Sequence, residues 1–222
     1  MRIFVVIPAY NEAAVIGQVL RQTLAVTTNA VVIDDGSRDQ TAALANEHGV
    51  KVLSHAINRG LGASLATGIS FALGQGADVI VTLDADGQHQ PSDIPRLVQP
   101  IIKNQADVVI GSRLLDAHGM PWHRQLNNRV ANFITWVLFG LKVTDSQSGY
   151  RLFSRAAAVK LELKTNRMEI SSEIIQEIKR HNLRLMELPI KAVYTDYSLS
   201  KGQNFIVGLK TFSKLLLKRL VG

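Results

Sequence analysis

Five short apolar runs punctuate the first half of the chain: IFVVIP (3–8), AVVIDD (30–35), VKVLSH (50–55), DVIVTLD (78–84) and DVVIGS (107–112). They are rich in β-branched residues and continuous rather than alternating, the pattern of strands buried on both faces of a parallel sheet. Between them, residues 12–26, 38–48, 61–75 and 92–103 read as helices. Ser37 or Asp39 is placed to cap the second of these, and Ser92, just after Pro91, the fourth. Strands alternating with helices at this spacing predict an α/β fold, Rossmann-like, with a mostly parallel, doubly wound sheet flanked by helices.

The pattern changes after residue 115. A loop with Gly119 and Pro121 leads to an apolar, aromatic-bearing helix over about 124–141, and DSQSGYRLFS follows it. A helix near 170–182 and a strand within 183–194 come next. The final stretch, QNFIVGLKTFSKLLLKRLVG, predicts an amphipathic helix: Phe205, Leu209, Phe212, Leu216 and Leu220 recur at helical spacing, with Lys210, Lys214 and Lys218 on the other side. The expected organisation is one domain over 1–202 and a basic amphipathic helix over 203–222.

Composition narrows the picture in three ways. At 222 residues, 46% hydrophobic and 19% charged, the chain suits one sizeable globular core. Without cysteine it holds neither a disulfide framework nor a thiolate metal site. No apolar run approaches the ~20 residues that span a bilayer, and the apolar run at the N-terminus is too short for a signal peptide. The formal net charge of +7 suits nucleic acid, anionic lipid or phosphorylated substrates without choosing among them.

Candidate chemistry gathers at strand ends, where open α/β sheets bind ligands. Asp34 and Asp35 follow the second strand, and Asp84 and Asp86 the fourth. Aspartates are also good turn residues, but two acidic strand ends converging on one edge repel unless a cation or donor compensates them. Asp84-Ala85-Asp86 offers hard oxygen ligands, with Gln88 and His89 within reach, for Mg²⁺ or Mn²⁺ carrying substrate phosphates. NRGLGASLATG (58–68) fails as a dinucleotide fingerprint, because Leu65 stands where the third glycine belongs and the stretch follows the third strand. Close packing of a helix start against the sheet is the expected role of its glycines.

IPAYNE, VIDDGSRDQT, NRGLGAS, LDADGQHQP, VVIGSR, DSQSGYRLF and the SK of SLSKG occur in this order. Together they resemble family 2 glycosyltransferases of the GT-A fold, and within them the polyprenyl-phosphate hexosyltransferases typified by dolichol-phosphate mannose synthase. The resemblance covers nearly the whole chain. It implies a metal-dependent, inverting transfer of mannose or glucose from GDP-mannose or UDP-glucose to dolichyl or undecaprenyl phosphate. It places Pro8, Tyr10, Glu12, Ile33 and Asp35, with Asp84 and Ala85, in the nucleotide-sugar pocket, and Asp84, Asp86 and Gln88 on the metal. It places Arg113 and Arg124 near the acceptor phosphate, with Arg151 as a third candidate, and Lys201 near the donor diphosphate or the lipid phosphate. Asp86, Asp145 and Arg113 are the implied catalytic residues. Asp145, in D-x-x-S-G-Y-R, either orients the acceptor or acts as base. The family pattern R-x-x-G-x-S-K is broken here, with Thr195 and Ser198 where arginine and glycine are expected before Ser200 and Lys201.

Elementary chemistry agrees. Displacing a nucleoside diphosphate needs charge stabilisation of the leaving group. A hydroxyl acceptor also needs a general base, whereas a phosphate monoester, with a second pKa of about 6, is already mostly dianionic at neutral pH and needs only cations to position it. A lipid acceptor demands contact with a membrane, expected at the cytoplasmic face. Two segments suit it: the stretch 130–141, with Phe133, Trp136 and Phe139 between Arg129 and Lys142, and the C-terminal helix. Many relatives continue into transmembrane helices, so peripheral attachment or a separate small membrane-anchor protein is expected here. Arg129 reads as a solvated surface charge. Two other functions fit the composition: transfer to a saccharide acceptor, and a non-catalytic basic module binding lipid or nucleic acid. The acidic strand ends argue against the module, and no nucleic-acid partner is expected.

Overall fold

A computed structural model describes residues 1–194 and Tyr197. Among these residues the sheet has seven strands: β1 (Ile3–Ala9), β2 (Ala30–Asp34), β3 (Lys51–Ser54), β4 (Val79–Thr82), β5 (Val108–Ser112), β6 (Arg151–Ser154) and β7 (Leu185–Pro189). Their spatial order is β3-β2-β1-β4-β6-β5-β7. All run in one direction except β6, which lies antiparallel between β4 and β5.

Among the described residues, eight helices flank the sheet: α1 (Ile16–Leu24), α2 (Thr41–Glu47), α3 (Leu61–Gly74), α4 (Ile94–Leu97), α5 (Gln99–Ile102), α6 (Trp122–Phe139), α7 (Arg155–Lys160) and α8 (Ile170–Arg180). One core layer packs α1 and the 94–98 region on Val5, Ile7, Val32 and Val81, and the other packs α3 and α8 on Val6, Ile33, Ile80 and Phe153. Strands covered on both faces must be apolar throughout, which is why β1, β2, β4 and β5 were legible as continuous runs. Strand β3 departs from this expectation: it lies at one edge of the sheet, and its residues are exposed or half-buried.

The helix expected over 92–103 is broken. A 3-10 turn, Pro91–Asp93, leads into α4 and α5, and Pro95 and Pro100 sit in the first turns of these two short helices. Proline lacks an N–H and cannot continue the hydrogen-bond ladder behind it. Of the expected caps, Asp39 accepts from the Thr41 amide at 3.0 Å, Ser37 accepts instead from the Asn11 amide, and Ser92 does not cap. Strand β6 and helix α7 were not foreseen.

The glycines of 58–68 divide their roles. A side chain at Gly68 would collide with Val6 of the sheet, as expected. Gly60 and Gly62 press instead on the backbone of Thr165 and Asn166. That loop is held by the buried Glu173 of α8, which accepts from the amides of Lys164 and Thr165 at 3.1 and 2.9 Å. Gly60 has φ +98°, a left-handed conformation that favours glycine.

Candidate active site

Strand direction assembles the site. The parallel strands β2, β4 and β5 deliver Asp35, Asp84 and Arg113 at or just beyond their carboxyl ends. Strand β6 runs the other way, with Arg151 paired to Thr82 and Ile110, so the loop Asp145–Tyr150 arrives at that same edge. Side chains far apart in sequence therefore meet where the ends of β4, β6 and β5 lie side by side, while Asp35 stays on the β2–β3 side.

At the end of β4, Asp86 is held by its neighbour. The Gln88 amide donates to Oδ1 at 3.0 Å and Gln88 Nε2 to Oδ2 at 2.5 Å. Gln88 Oε1 is buried without a hydrogen-bond partner among the described residues. His89, buried against the Tyr150 ring, accepts from the Asp84 amide through Nδ1 and turns Nε2 towards Asp84 Oδ2 at 3.9 Å. The Asp84 carboxylate lies directly over Gly149, where a Cβ would overlap both oxygens. Burial raises the Asp84 carboxyl above the usual carboxylate range; Asp86 adds to the rise, while His89, Arg113 and Arg151 oppose it.

No cluster of three His, Asp or Glu side chains fit to hold a metal occurs among the described residues. Two carboxylates and an amide oxygen are nonetheless what a hard divalent cation takes when substrate phosphates and water complete its sphere. The orphaned Gln88 oxygen and the unfavourable ionisation of Asp84 beside Asp86 both fit such an ion.

Next to the carboxylates lies a buried fork. Arg113 donates through Nε and an η nitrogen to the two oxygens of Asp145 at 2.8 and 2.9 Å, and through its backbone amide at 3.0 Å. Asp145 has no solvent exposure. Its carboxylate holds the Arg113 guanidinium well above its ordinary pKa despite burial. The loop carrying Asp145 is itself clamped. Glu187 of β7 accepts from the amides of Thr144 and Asp145, and Asn132 of α6 accepts from the Ser146 amide at 2.8 Å. Arg124, on α6, lies over the ring of Tyr194, 5.7 Å from its centroid. The Tyr194 hydroxyl is buried with no hydrogen-bond partner among the described residues. Burial raises its pKa; Asp145 and Asp86 add to the rise, and Arg113 and Arg124 counter it.

Ile33 is fully buried in the core under α3, and Ala85 is buried beside α4. Asp35 uses its carboxylate on His55 and on the amides of Arg59 and Gly60, at 2.7 to 2.9 Å, fastening the loop ahead of α3. Pro8 is buried in β1, opposite Ile33. Tyr10 is 41% exposed, and Glu12 accepts from the Tyr197 hydroxyl at 2.7 Å. Arg151 is 2% exposed and donates to the carbonyls of Ser146 and Ser171. Burial depresses its pKa to about 10, the Asp84 and Asp145 charges opposing the fall. Thr195, Ser198, Ser200, Lys201 and the C-terminal helix lie outside the described residues. The sequence reading missed Gly149, Tyr194, Glu187 and Asn132. Only Gly149 carried a signal, as the glycine of the quoted DSQSGYRLF.

The family model described as Glycosyl transferase family 2 matches residues 4–161. The chain belongs to glycosyl transferase family 2. This family 2 glycosyltransferase is 46% identical over 224 residues to an uncharacterised protein of Methanocaldococcus jannaschii, covering 98% of this chain and 92% of that one. It is 37% identical over 241 residues to the UDP-N-acetylglucosamine–dolichyl-phosphate N-acetylglucosaminyltransferase of Methanococcus voltae, covering 98% and 96%. Among solved structures it superposes on glucosyl-3-phosphoglycerate synthase of Mycobacterium tuberculosis, in complex with Mn²⁺, UDP-glucose and phosphoglyceric acid. The TM-score is 0.76 at 19% identity, over 99% of this chain and 79% of that one, a likeness of GT-A fold.

Proposed function

We propose that this enzyme is a metal-dependent, inverting glycosyltransferase that moves a sugar from a nucleoside diphosphate to a polyprenyl phosphate at a membrane surface. The observation that carries the reading is the meeting of Asp84 and Asp86 with the Arg113–Asp145 fork at one sheet edge. One group suits a donor diphosphate with its cation, the other an anionic acceptor. The acceptor class is also in the name of the Methanococcus voltae relative. The sugar is an N-acetylhexosamine, as in that relative's name, or a hexose such as mannose or glucose.

An acceptor phosphate oxygen attacks the anomeric carbon from the face opposite the diphosphate. The new C–O bond forms as the bond to the diphosphate breaks, and the electron pair leaves with the diphosphate. A bound divalent cation, held by Asp84, Asp86 and Gln88, would take up charge on that leaving group. The acceptor dianion needs no proton removed. Asp145, buried and forked onto Arg113, fixes the direction in which the guanidinium faces the acceptor. Tyr194 and its segment back Arg124. Lys201 is proposed as a further cation for either phosphate, and residues 203–222 as a separate basic helix at the bilayer.

The test is turnover with Mn²⁺ or Mg²⁺, offering UDP-N-acetylglucosamine, GDP-mannose or UDP-glucose with undecaprenyl or dolichyl phosphate in detergent, beside an Asp86→Ala control. Lipid-linked sugar from one donor, lost in the control and in chelator, is expected. Transfer to a free saccharide but to no lipid phosphate would overturn the acceptor assignment.

A further inference from the structure

Helix α6 is unusual in which side it buries. Of its residues only Thr135 is fully buried, packed near Ser146 and Ser172. Trp122, Leu126, Val130, Phe133 and Trp136 are 75, 52, 44, 60 and 47% exposed. At 3.6 residues per turn these positions fall on one side of the helix, and Arg124 and Thr135, eleven residues apart, fall on the other. Both tryptophans of the protein are in this exposed group. Arg129, also exposed, lies at the middle of the face. From Ala117 to Thr144 the chain has no acidic residue, while Arg124, Arg129 and Lys142 give it cations.

We propose that this outward face of α6 docks the enzyme on an anionic bilayer, seated at headgroup depth. Exposed aromatic rings with cations among them and no acid nearby match the chemistry of a membrane interface, where tryptophan takes the boundary and arginine reaches the phosphates. The inference rests on the reading that the acceptor is a lipid phosphate, and α6 makes the two continuous. Its inner side presents Arg124 beside Tyr194 and the fork, so the helix's own thickness, ~10 Å, separates the acceptor arginine from the membrane plane. Charge disfavours a second copy of the chain as the occupant: a twofold contact through this face would bring the basic surfaces of two copies together with no acid to answer them.

Tryptophan emission reports this face directly, because no other tryptophan exists. Full-length protein is mixed with vesicles of phosphatidylcholine alone or with about a third phosphatidylglycerol, without donor or acceptor, and scored by emission spectrum, brominated-lipid quenching and flotation. Expected are red emission in buffer and a blue shift with flotation on the anionic vesicles. The apparent vesicle affinity is expected to fall about tenfold or more in Phe133→Ser/Trp136→Ser and to weaken with salt. Circular dichroism and nucleotide-sugar binding check that the variant is folded. Unshifted emission with anionic vesicles overturns the proposal. So does blue emission in buffer, from a dimer that this variant dissociates or from a monomer whose face residues 195–222 cover. Lipid-linked sugar made in detergent by a protein that ignores vesicles would sink the docking surface and leave the reaction standing. Vesicle binding without any lipid-linked product would do the reverse.

Discussion

The carboxylate of Asp84 rests on the α-carbon of Gly149, in space that any side chain at 149 would fill. The pair spans two strands of opposite direction, β4 and β6, and fixes where the first acid of the D-x-D points. Gly149→Ala must therefore displace the carboxylate. A shift of this kind near the chemistry costs turnover on the order of 100-fold. Steady-state kinetics beside thermal unfolding checks it, and a variant with normal kcat would show that the Asp84 position is unimportant.

Gln88 does two things for the opposite carboxylate: its amide groups hold Asp86, and its side-chain oxygen is left over. Gln88→Leu removes the Nε2 donor and the spare oxygen and leaves Asp86 only the backbone amide. Losing a partner that orients a metal ligand weakens metal binding roughly 10- to 100-fold. Titration of Mn²⁺, followed by calorimetry in the presence of nucleotide sugar, measures the loss; unchanged affinity would argue that Asp86 needs no tether.

Asp145 is engaged by Arg113 and fully buried, so removing it strands a cation. Asp145→Ala is expected to destabilise the fold by about 3–5 kcal/mol, read by denaturant unfolding. Arg113→Lys keeps the charge but loses the fork. Its effect should fall on the acceptor KM more than on the donor KM. An equal rise in both would contradict an acceptor role for Arg113.

Because the folded-state pKa of Asp84 is raised, the metal-free native protein binds its proton more tightly than the unfolded chain does. The associated stability is present in full below the ordinary aspartate value and is lost as pH rises through the raised one. Metal-free Asp84→Asn should consequently gain stability over wild type as pH rises through that window, while losing metal binding. Melting temperatures of the two proteins in chelator, compared from acid to neutral pH, test the sign; a constant difference would refute it.

Tyr194 separates ring from hydroxyl. Tyr194→Phe deletes a buried hydroxyl that lacks a partner among the described residues, so stability should hold or rise by up to about 1 kcal/mol. Tyr194→Ala removes the face under Arg124, a contact worth ~0.5–2 kcal/mol, and should raise the acceptor KM several-fold. If Tyr194→Phe loses activity like Tyr194→Ala, the hydroxyl itself meets a substrate.

The apolar runs of β1, β2, β4 and β5 wrote the parallel sheet into the sequence, because strands covered on both faces have no choice but continuous hydrophobicity. Asp84 and Asp86 were legible for a related reason: acids directly after such a run mark the strand's carboxyl end, where ligands bind. Strand β6 was hidden. Its four residues begin with a charged Arg151, which is buried where Ser146 and Ser171 offer their carbonyls. Missing that strand meant missing why 145–150 comes to the site at all. Adjacency along the chain does not say which way a side chain turns, and Ile33 and Ala85 both turn into the core.

The sequence by itself determined the fold class, the edge of the sheet that carries chemistry and the acids that stand there, since each follows from local pattern. Only the tertiary structure decided that Asp145 holds Arg113, that Arg151 is buried against the carbonyls of Ser146 and Ser171 and that α6 turns its aromatic side outward. Those outcomes depend on which strand runs backwards and which face a neighbour covers. They are contacts between residues tens of positions apart, and no local periodicity records them.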